Sequence, residues 1–183
     1  MISVLPDTIA IRPYSVADAS DVYAAVTESI GEMSPWMPWC HSGYSLHDAI
    51  NWLMEQDEQR ARGLAHEFAI VDSEGRYLGG CGVNQIRREY RLANLGYWVR
   101  SSAAGQGVAS RAVKLLAQWA MVNTDLIRVE LVIAVANAAS RRVAEKAGAT
   151  SEGMQRNRLW LDGTAHDAMM YSIVRDDLPE TDI

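Results

Sequence analysis

Only two cysteines occur in the 183 residues, Cys40 and Cys81, far apart and with no Cys-x-x-Cys pair or neighbouring histidine cluster. That scarcity excludes a disulfide framework and a thiolate zinc site, so no metal is expected and a reducing, cytoplasmic setting is. No run of roughly 18 apolar residues occurs anywhere, and the opening MISVLPDTIAIRP lacks a charged segment followed by a long apolar core. Neither a membrane span nor export is predicted. Basic residues are in the minority, 17 Lys and Arg against 23 Asp and Glu, for a net charge of -6. Without a basic face to neutralise phosphates, direct nucleic-acid binding is excluded, and a basic partner is electrostatically easier. Internal repeats and low-complexity tracts are also missing.

What remains is an ordinary globular composition, 49% hydrophobic and 22% charged, long enough for one domain spanning 1–183 with a sizeable core. Its organising stretch is Leu92 to Ala120, LANLGYWVRSSAAGQGVASRAVKLLAQWA: a strand-like run, a small-residue turn, then a helix. The turn is centred on Gly105-Gln106-Gly107-Val108-Ala109. Small residues let several backbone N–H groups converge on an anion where a helix exposes its unpaired first-turn donors. Spacing alone leaves two readings open, a tight strand-to-helix turn and a phosphate cradle.

Periodicity places the other elements. Thr8 to Arg12 reads as a short strand ending at Pro13, and Val22, Val26 and Ile30 mark an amphipathic helix ending near Gly31. Glu32 to Tyr44 is too aromatic for a solvated loop and too broken by Pro35 and Pro38 for a helix, so it folds onto the core, walls a ligand pocket, or does both. Ser45 and Asp48 form a capping pattern for a second helix running to Gly63, read as scaffold. His66 to Val71 and Arg76 to Ile86 flank the turn Asp72-Ser73-Glu74-Gly75, and Gly79, Gly80 and Gly82 in the second run mark a bulge or a close backbone approach. Along Leu92 to Val99, Leu95, Tyr97 and Val99 share one face and Trp98 takes the other. Val108 begins a third helix, Leu126 to Ala136 is the most apolar strand, and Ser140 to Ala147 is a short helix closed by Gly148. Gln155 to Leu161 and Thr164 to Val174 flank the hairpin dipeptide Asp162-Gly163, and the acidic tail from Asp176 is expected to fray. Hairpin-linked strands combined with crossover helices give an α/β fold, a mixed, largely antiparallel sheet with helices on its faces.

Two stretches in order, YWVRSSAAGQGVASRAVKLL and then NAASRRVAEKAGATSEG, resemble the GCN5-related N-acetyltransferase (GNAT) superfamily, and most closely its RimJ/RimL-type ribosomal-protein N-terminal acetyltransferases. The resemblance runs from Ile9 through Met37-Pro38-Trp39 to Tyr171. It implies a GNAT-like fold, acetyl-CoA as cosubstrate, and a protein N-terminus or small primary amine as acceptor. Gly107 and Ala109 match the small positions of the family's pyrophosphate loop, with the N–H groups of Gly105, Gln106, Gly107, Val108, Ala109 and Ser110 as donors. The loop's first position is Ala104, a departure that removes one polar side chain, a loss of about 1 kcal/mol in CoA binding where main-chain donors dominate. The resemblance assigns Trp98, Val99 and Arg100 to backbone pairing with the pantetheine arm, and Asn137 and Ser140 to the cofactor-binding Asn-x-x-Ser positions.

Acetyl transfer to nitrogen needs a neutral amine, a polarised thioester carbonyl and a proton for the departing thiolate. The resemblance gives Val99 N–H as polariser. It gives Ser140 as the acid, since the tyrosine that many relatives carry seven positions after the asparagine is Ala144 here; a helix N-cap is the other reading of Ser140. Rim-type sequences often carry Glu where this chain has Asn94, which leaves Glu67, Glu130 and His66 as candidate bases, Glu67 first. Little base help is needed for an α-amine of pKa ~8, on the order of 10% neutral at pH 7 against roughly 0.04% for a lysine. Acceptor contacts are expected from Trp36, Met37 and Trp39, from Asn84 and Tyr97 near the sheet centre, and from Arg158 and Trp160 on the last hairpin. The same loop residues could instead form a homodimer face. Loss of Glu and Tyr at the two motif positions also allows an acyl-CoA-binding module with little or no catalysis.

Overall fold

The computed structural model describes residues 8–178. Seven strands, β1 (Ile9–Pro13), β2 (His66–Asp72), β3 (Tyr77–Arg87), β4 (Leu92–Val99), β5 (Arg128–Ala134), β6 (Thr150–Leu161) and β7 (Thr164–Val174), form one sheet in the order β1-β2-β3-β4-β5-β7-β6. Helices α1 (Ala19–Met33) and α2 (Leu46–Ala61) follow β1, α3 (Val108–Asn123) joins β4 to β5, and α4 (Ala138–Lys146) follows β5. This is the expected succession of elements and the expected mixed, mostly antiparallel sheet.

Local chemistry explains the boundaries. Asp162 and Gly163 both adopt positive φ, 47° and 71°, the conformation of a two-residue hairpin turn. At the start of α2, Asp48 Oδ2 accepts from Ser45 N–H at 2.8 Å and Ser45 Oγ accepts from Asp48 N–H at 3.3 Å, a reciprocal cap. Several boundaries differ: β5 is shorter than Leu126 to Ala136, α4 starts at Ala138 before Ser140, β6 starts at Thr150 before Gln155, and α1 runs past Gly31 to Met33, because Gly31 is tolerated in helical geometry and Pro35 is the residue that stops the chain. The acidic tail lies largely outside the described residues; Arg175–Asp177 makes a short 3-10 turn.

Alternation along the strands feeds two cores. One face, with Phe68, Ile70, Val83 and Leu95, packs against α3 and α4 through Ala112, Leu116 and Ala144. The opposite face, with Ala69, Val71 and Tyr77, packs against α1 and α2 through Val22, Val26 and Leu53. Every strand pairing is antiparallel except β4 with β5, and that parallel pair is short: Leu92, Ala93 and Asn94 register with Arg128, Val129 and Glu130. Past Asn94 the two strands part, so the middle of the sheet opens into a cleft. The cradle turn sits at the end of β4, above this opening.

Candidate active site

Two cavities meet at the parting strands. The smaller, about 160 Å³, lies in the cleft and is lined by Trp36, Asn94, Leu131, Asn137, Ser140 and Leu159 among others. The larger, about 590 Å³, lies on the α1/α2 face and is lined by Trp39, Tyr44, Glu67, Asn84 and Trp98 among others. Met37, Gly96 and Tyr97 line both, so the two spaces adjoin at the centre of β4.

The cradle is shaped by two left-handed glycines. Gly105 and Gly107 both have φ of 75°, and no heavy atom lies within 4 Å of where a Cβ would sit on either, so the surface there is open backbone. None of the N–H groups from Gly105 to Ser110 finds a hydrogen-bond acceptor among the described residues. The loop carbonyls are held instead: Ser110 Oγ donates to Gly107 O at 3.0 Å and Arg111 Nη2 to Gln106 O at 3.0 Å. The turn before the cradle is anchored by α1, which sequence reading missed. Glu28 accepts from Arg100 and from Ser102 N–H at 2.8 Å, Ser29 Oγ accepts from Ser101 N–H at 3.0 Å, and Glu32 Oε2 accepts from Ser101 Oγ at 2.9 Å. The Arg100 guanidinium, joined by the backbone donor of Ser102, holds the Glu28 carboxyl down at about 2.

Strand geometry revises the backbone roles expected in the cleft. Arg100 N–H donates to Leu78 O at 2.9 Å, and Trp98 registers opposite Gly80, so the main-chain groups of Trp98 and Arg100 turn toward β3. A Cβ on Gly79 would collide with the Trp98 carbonyl, which fixes that direction. Alternation leaves Tyr97 and Val99 as the residues whose N–H and C=O face the cleft. Trp98 contributes its indole to the larger cavity, and the Arg100 side chain is tied to Glu28 and to Tyr77 O, so neither presents the backbone pairing expected of it.

Across the cleft, Asn137 is the N-cap of α4: its Oδ1 accepts from Ser140 N–H at 3.0 Å. Ser140 is therefore at the third helical position, and its alternative reading as the N-cap is overturned. Its hydroxyl meets the Tyr97 hydroxyl at 2.5 Å. Burial pushes the Tyr97 phenol up to about 12, partly offset by the Ser140 hydrogen bond. Ala144 is fully buried in the α4 core, so no side chain from that position reaches the cleft.

Glu67 stands on the floor of the larger cavity. Its Oε1 accepts from Asn84 Nδ2 at 3.0 Å, and Asn84 Oδ1 accepts from Asn94 Nδ2 at 2.9 Å, a polar chain running from one cavity to the other. The carboxyl occupies the space above Gly82, where any Cβ would overlap it, and burial raises its pKa against the opposing Asn84 hydrogen bond. Of the three glycines read as a bulge or a close backbone approach, Gly79 lies beside a register shift and against the backbone of Trp98 and Val99, whereas Gly82 admits the Glu67 side chain and Gly80 those of Tyr14 and Trp98. The other two candidate bases are elsewhere. His66 points to the α3 face against Trp119, and Glu130 is ion-paired to Arg128 at 2.8 Å.

The loop between α1 and α2 serves both of its expected purposes: Cys40 enters the core beside Met33 at the end of α1, Trp39 and Tyr44 wall the larger cavity, and Trp36 lines the cleft rather than the larger space. Helix α2, read as scaffold, adds Asp48 and Trp52 to the wall. Arg158 and Trp160 line neither cavity. Between Gln155 and Leu159 the β6 register slips against β7, and the strand resumes with Leu159 and Leu161 turned inward and Trp160 outward, 70% exposed. Among the described residues no cluster of three or more His, Cys, Asp or Glu is placed to hold a metal ion, and no helix is long and apolar enough to cross a membrane.

Comparison with known proteins gives a consistent result. The family model for the acetyltransferase (GNAT) domain matches residues 8–150. The putative ribosomal N-acetyltransferase YdaF of Bacillus subtilis is 31% identical over 167 residues, covering 91% of each chain. The ribosomal-protein-serine acetyltransferase of Escherichia coli is 27% identical, over 75% of this chain and 83% of that protein. Among solved structures, Mycobacterium smegmatis RimJ in complex with CoA-disulfide matches with a TM-score of 0.87 and 23% identity, covering 97% of this chain and 87% of that one, a likeness of fold.

Proposed function

The chain belongs to the GNAT acetyltransferase family and is an acetyl-CoA-dependent N-acetyltransferase, and we propose that its acceptor is a primary amine of low basicity, a protein or peptide N-terminus or a small amine, acetylated where the two cavities meet. The observation that carries this reading is the junction at Gly96 and Tyr97, which brings Glu67 on one side and Ser140 on the other to a shared strand.

In this reading the donors of residues 105–110 take the pyrophosphate, with Gly107 and Ala109 leaving room for it, and the cleft-facing backbone of Tyr97 and Val99 holds the arm. Asn137 contributes by fixing the first turn of α4. Acetyl-CoA supplies the activated thioester. The amine nitrogen enters from the larger cavity past Met37, Trp39 and Asn84, and its lone pair forms the new C–N bond as the C–S bond breaks. Val99 N–H polarises the carbonyl, Glu67 takes the proton lost from nitrogen, and Ser140 gives a proton to the departing thiolate and recovers one through Tyr97. A carboxyl whose pKa is raised by burial is a better base near neutrality than an exposed one.

The setting is the cytoplasm, consistent with two buried free thiols, and the transfer requires no metal. Comparing time courses of CoA-thiol release for matched N-terminal and lysine peptides tests the acceptor class. Faster N-terminal acetylation is expected, and preferential lysine acetylation contradicts it.

A further inference from the structure

The larger cavity has a more specific chemistry than amine transfer requires. Six phenol and indole rings line it from four separate segments: Tyr14 after β1, Trp39 and Tyr44 from the loop, Trp52 from α2, and Tyr97 and Trp98 from β4. Neighbouring rings meet edge to face, Tyr14 with Trp52 at 4.9 Å and 83°, Trp39 with Tyr44 at 6.0 Å and 60°, and Trp39 with Trp98 at 6.0 Å and 64°. Rings inclined in this way enclose a space instead of stacking it shut, and their π faces carry negative potential.

The charged groups on the wall have the same sign. Asp48 and Glu67 line the cavity, and no Lys or Arg does among the described residues. His41 also lines it, its Nδ1 accepting from Gly43 N–H at 3.1 Å. The arginines on nearby strands are committed to other carboxylates, Arg12 to Asp18 at 2.6 Å and Arg100 to Glu28. An anion entering this space would meet two carboxylates and ring faces with no Lys or Arg to pair it. A cation would meet the two carboxylates and the ring faces.

We propose that this cavity selects acceptors that carry a second cationic group a few bonds from the reacting nitrogen, seated among Trp39, Trp52 and Asp48, and excludes acceptors that carry a carboxylate there. The selection rests on the acetyl-transfer reading only for which nitrogen reacts; the binding preference itself belongs to the cavity. The second cation can sit on a free diamine or on the first side chains of a peptide N-terminus.

The test uses three amines of one length, cadaverine, pentylamine and δ-aminovalerate, and the dipeptide amides alanyl-lysine and alanyl-glutamate. Each is assayed for CoA-thiol release and, separately, for binding to the CoA-loaded protein through tryptophan fluorescence. Cadaverine is expected to bind about 10-fold more tightly than pentylamine, and pentylamine about 10-fold more tightly than δ-aminovalerate, with the lysine dipeptide ahead of the glutamate one. Which series is turned over identifies the source of the cation. Trp39→Leu and Asp48→Asn, the latter keeping an acceptor for the α2 cap, are expected to compress the order to within about 3-fold. Equal binding of δ-aminovalerate and cadaverine by the native protein overturns the proposal, whatever the turnover. The expected binding order with no thiol released by any amine supports the proposal and overturns the transfer reading.

Discussion

The hydroxyls of Tyr97 and Ser140 meet at 2.5 Å across the cleft between β4 and α4, joining the two sides of the parted sheet. Tyr97 also reaches Ser140 O at 3.1 Å, so the phenol fixes the serine as well as contacting it. Removing the serine hydroxyl removes the proposed acid. Ser140→Ala is expected to lower kcat by about 100-fold with little change in either KM, because the proton is needed in the transition state alone. Tyr97→Phe keeps the acid but releases its orientation, and a smaller loss is expected. Steady-state kinetics check both; an unchanged kcat in Ser140→Ala contradicts the role.

The cradle is tested without straining its glycines. Any side chain at Gly107 would have to adopt φ of 75°, so a change there mixes strain with charge. Ser110 lies in the first turn of α3 with ordinary helical geometry. Ser110→Glu places a carboxylate where the helix dipole favours it, so the melting temperature is expected to hold or rise, while the affinity for CoA falls by at least about 10-fold through repulsion of the pyrophosphate. Calorimetry that finds CoA affinity unchanged contradicts the cradle.

Glu67 is expected to be costly to the fold and useful to the reaction. Its folded pKa is raised above its usual 4.5, so the folded state favours the protonated form. Its stabilising contribution is complete below 4.5 and is lost as pH rises through the folded value. Glu67→Gln is therefore expected to melt higher than the native protein above that window and to lose the margin below it. Activity should fall by about 100-fold at neutral pH, and the rise of rate with pH on the acid side should disappear. A melting difference independent of pH would rule out the buried carboxylate as its origin.

The α1 anchor predicts coupling at a distance from the ligand. Glu28 holds Arg100 and the Ser102 N–H, and its carboxyl, lowered to about 2, stabilises the fold above 4.5 and ceases to do so as pH falls toward 2. Glu28→Gln is expected to flatten the acid limb of the stability profile and to weaken CoA binding several-fold, with the amine KM unchanged. Equal effects on both substrates would indicate a general loosening.

Sequence was most informative where chemistry is local. Asp162-Gly163 specifies its own turn, Ser45 and Asp48 cap their own helix, and Gly105 to Ala109 shapes its own loop. Strand alternation was also legible, since Leu95 and Tyr97 face one core and Trp98 the other. What depends on partners distant in the chain was not. Nothing within β4 states that its pairing with β5 ends after Asn94, and nothing near Glu67 states that Gly82 makes room for it. The direction of the Trp98 and Arg100 backbone follows from the register with β3, and the outward turn of Trp160 from a slip in β6 that no local residue pattern announces. The alternating glycines of β3 were the one visible sign of the crowded site they accommodate.

The central claim is that acetyl transfer takes place where the two cavities join at Tyr97, and it is tested most directly by following CoA-thiol release from acetyl-CoA by the native protein and by Ser140→Ala, with and without an amine panel of peptides and small amines. The account predicts thiol release that requires an amine, yields the acetylated amine in equal amount and is strongly reduced in Ser140→Ala. Saturable acetyl-CoA binding with no amine-dependent release, the behaviour of an acyl-CoA-binding module, would contradict it.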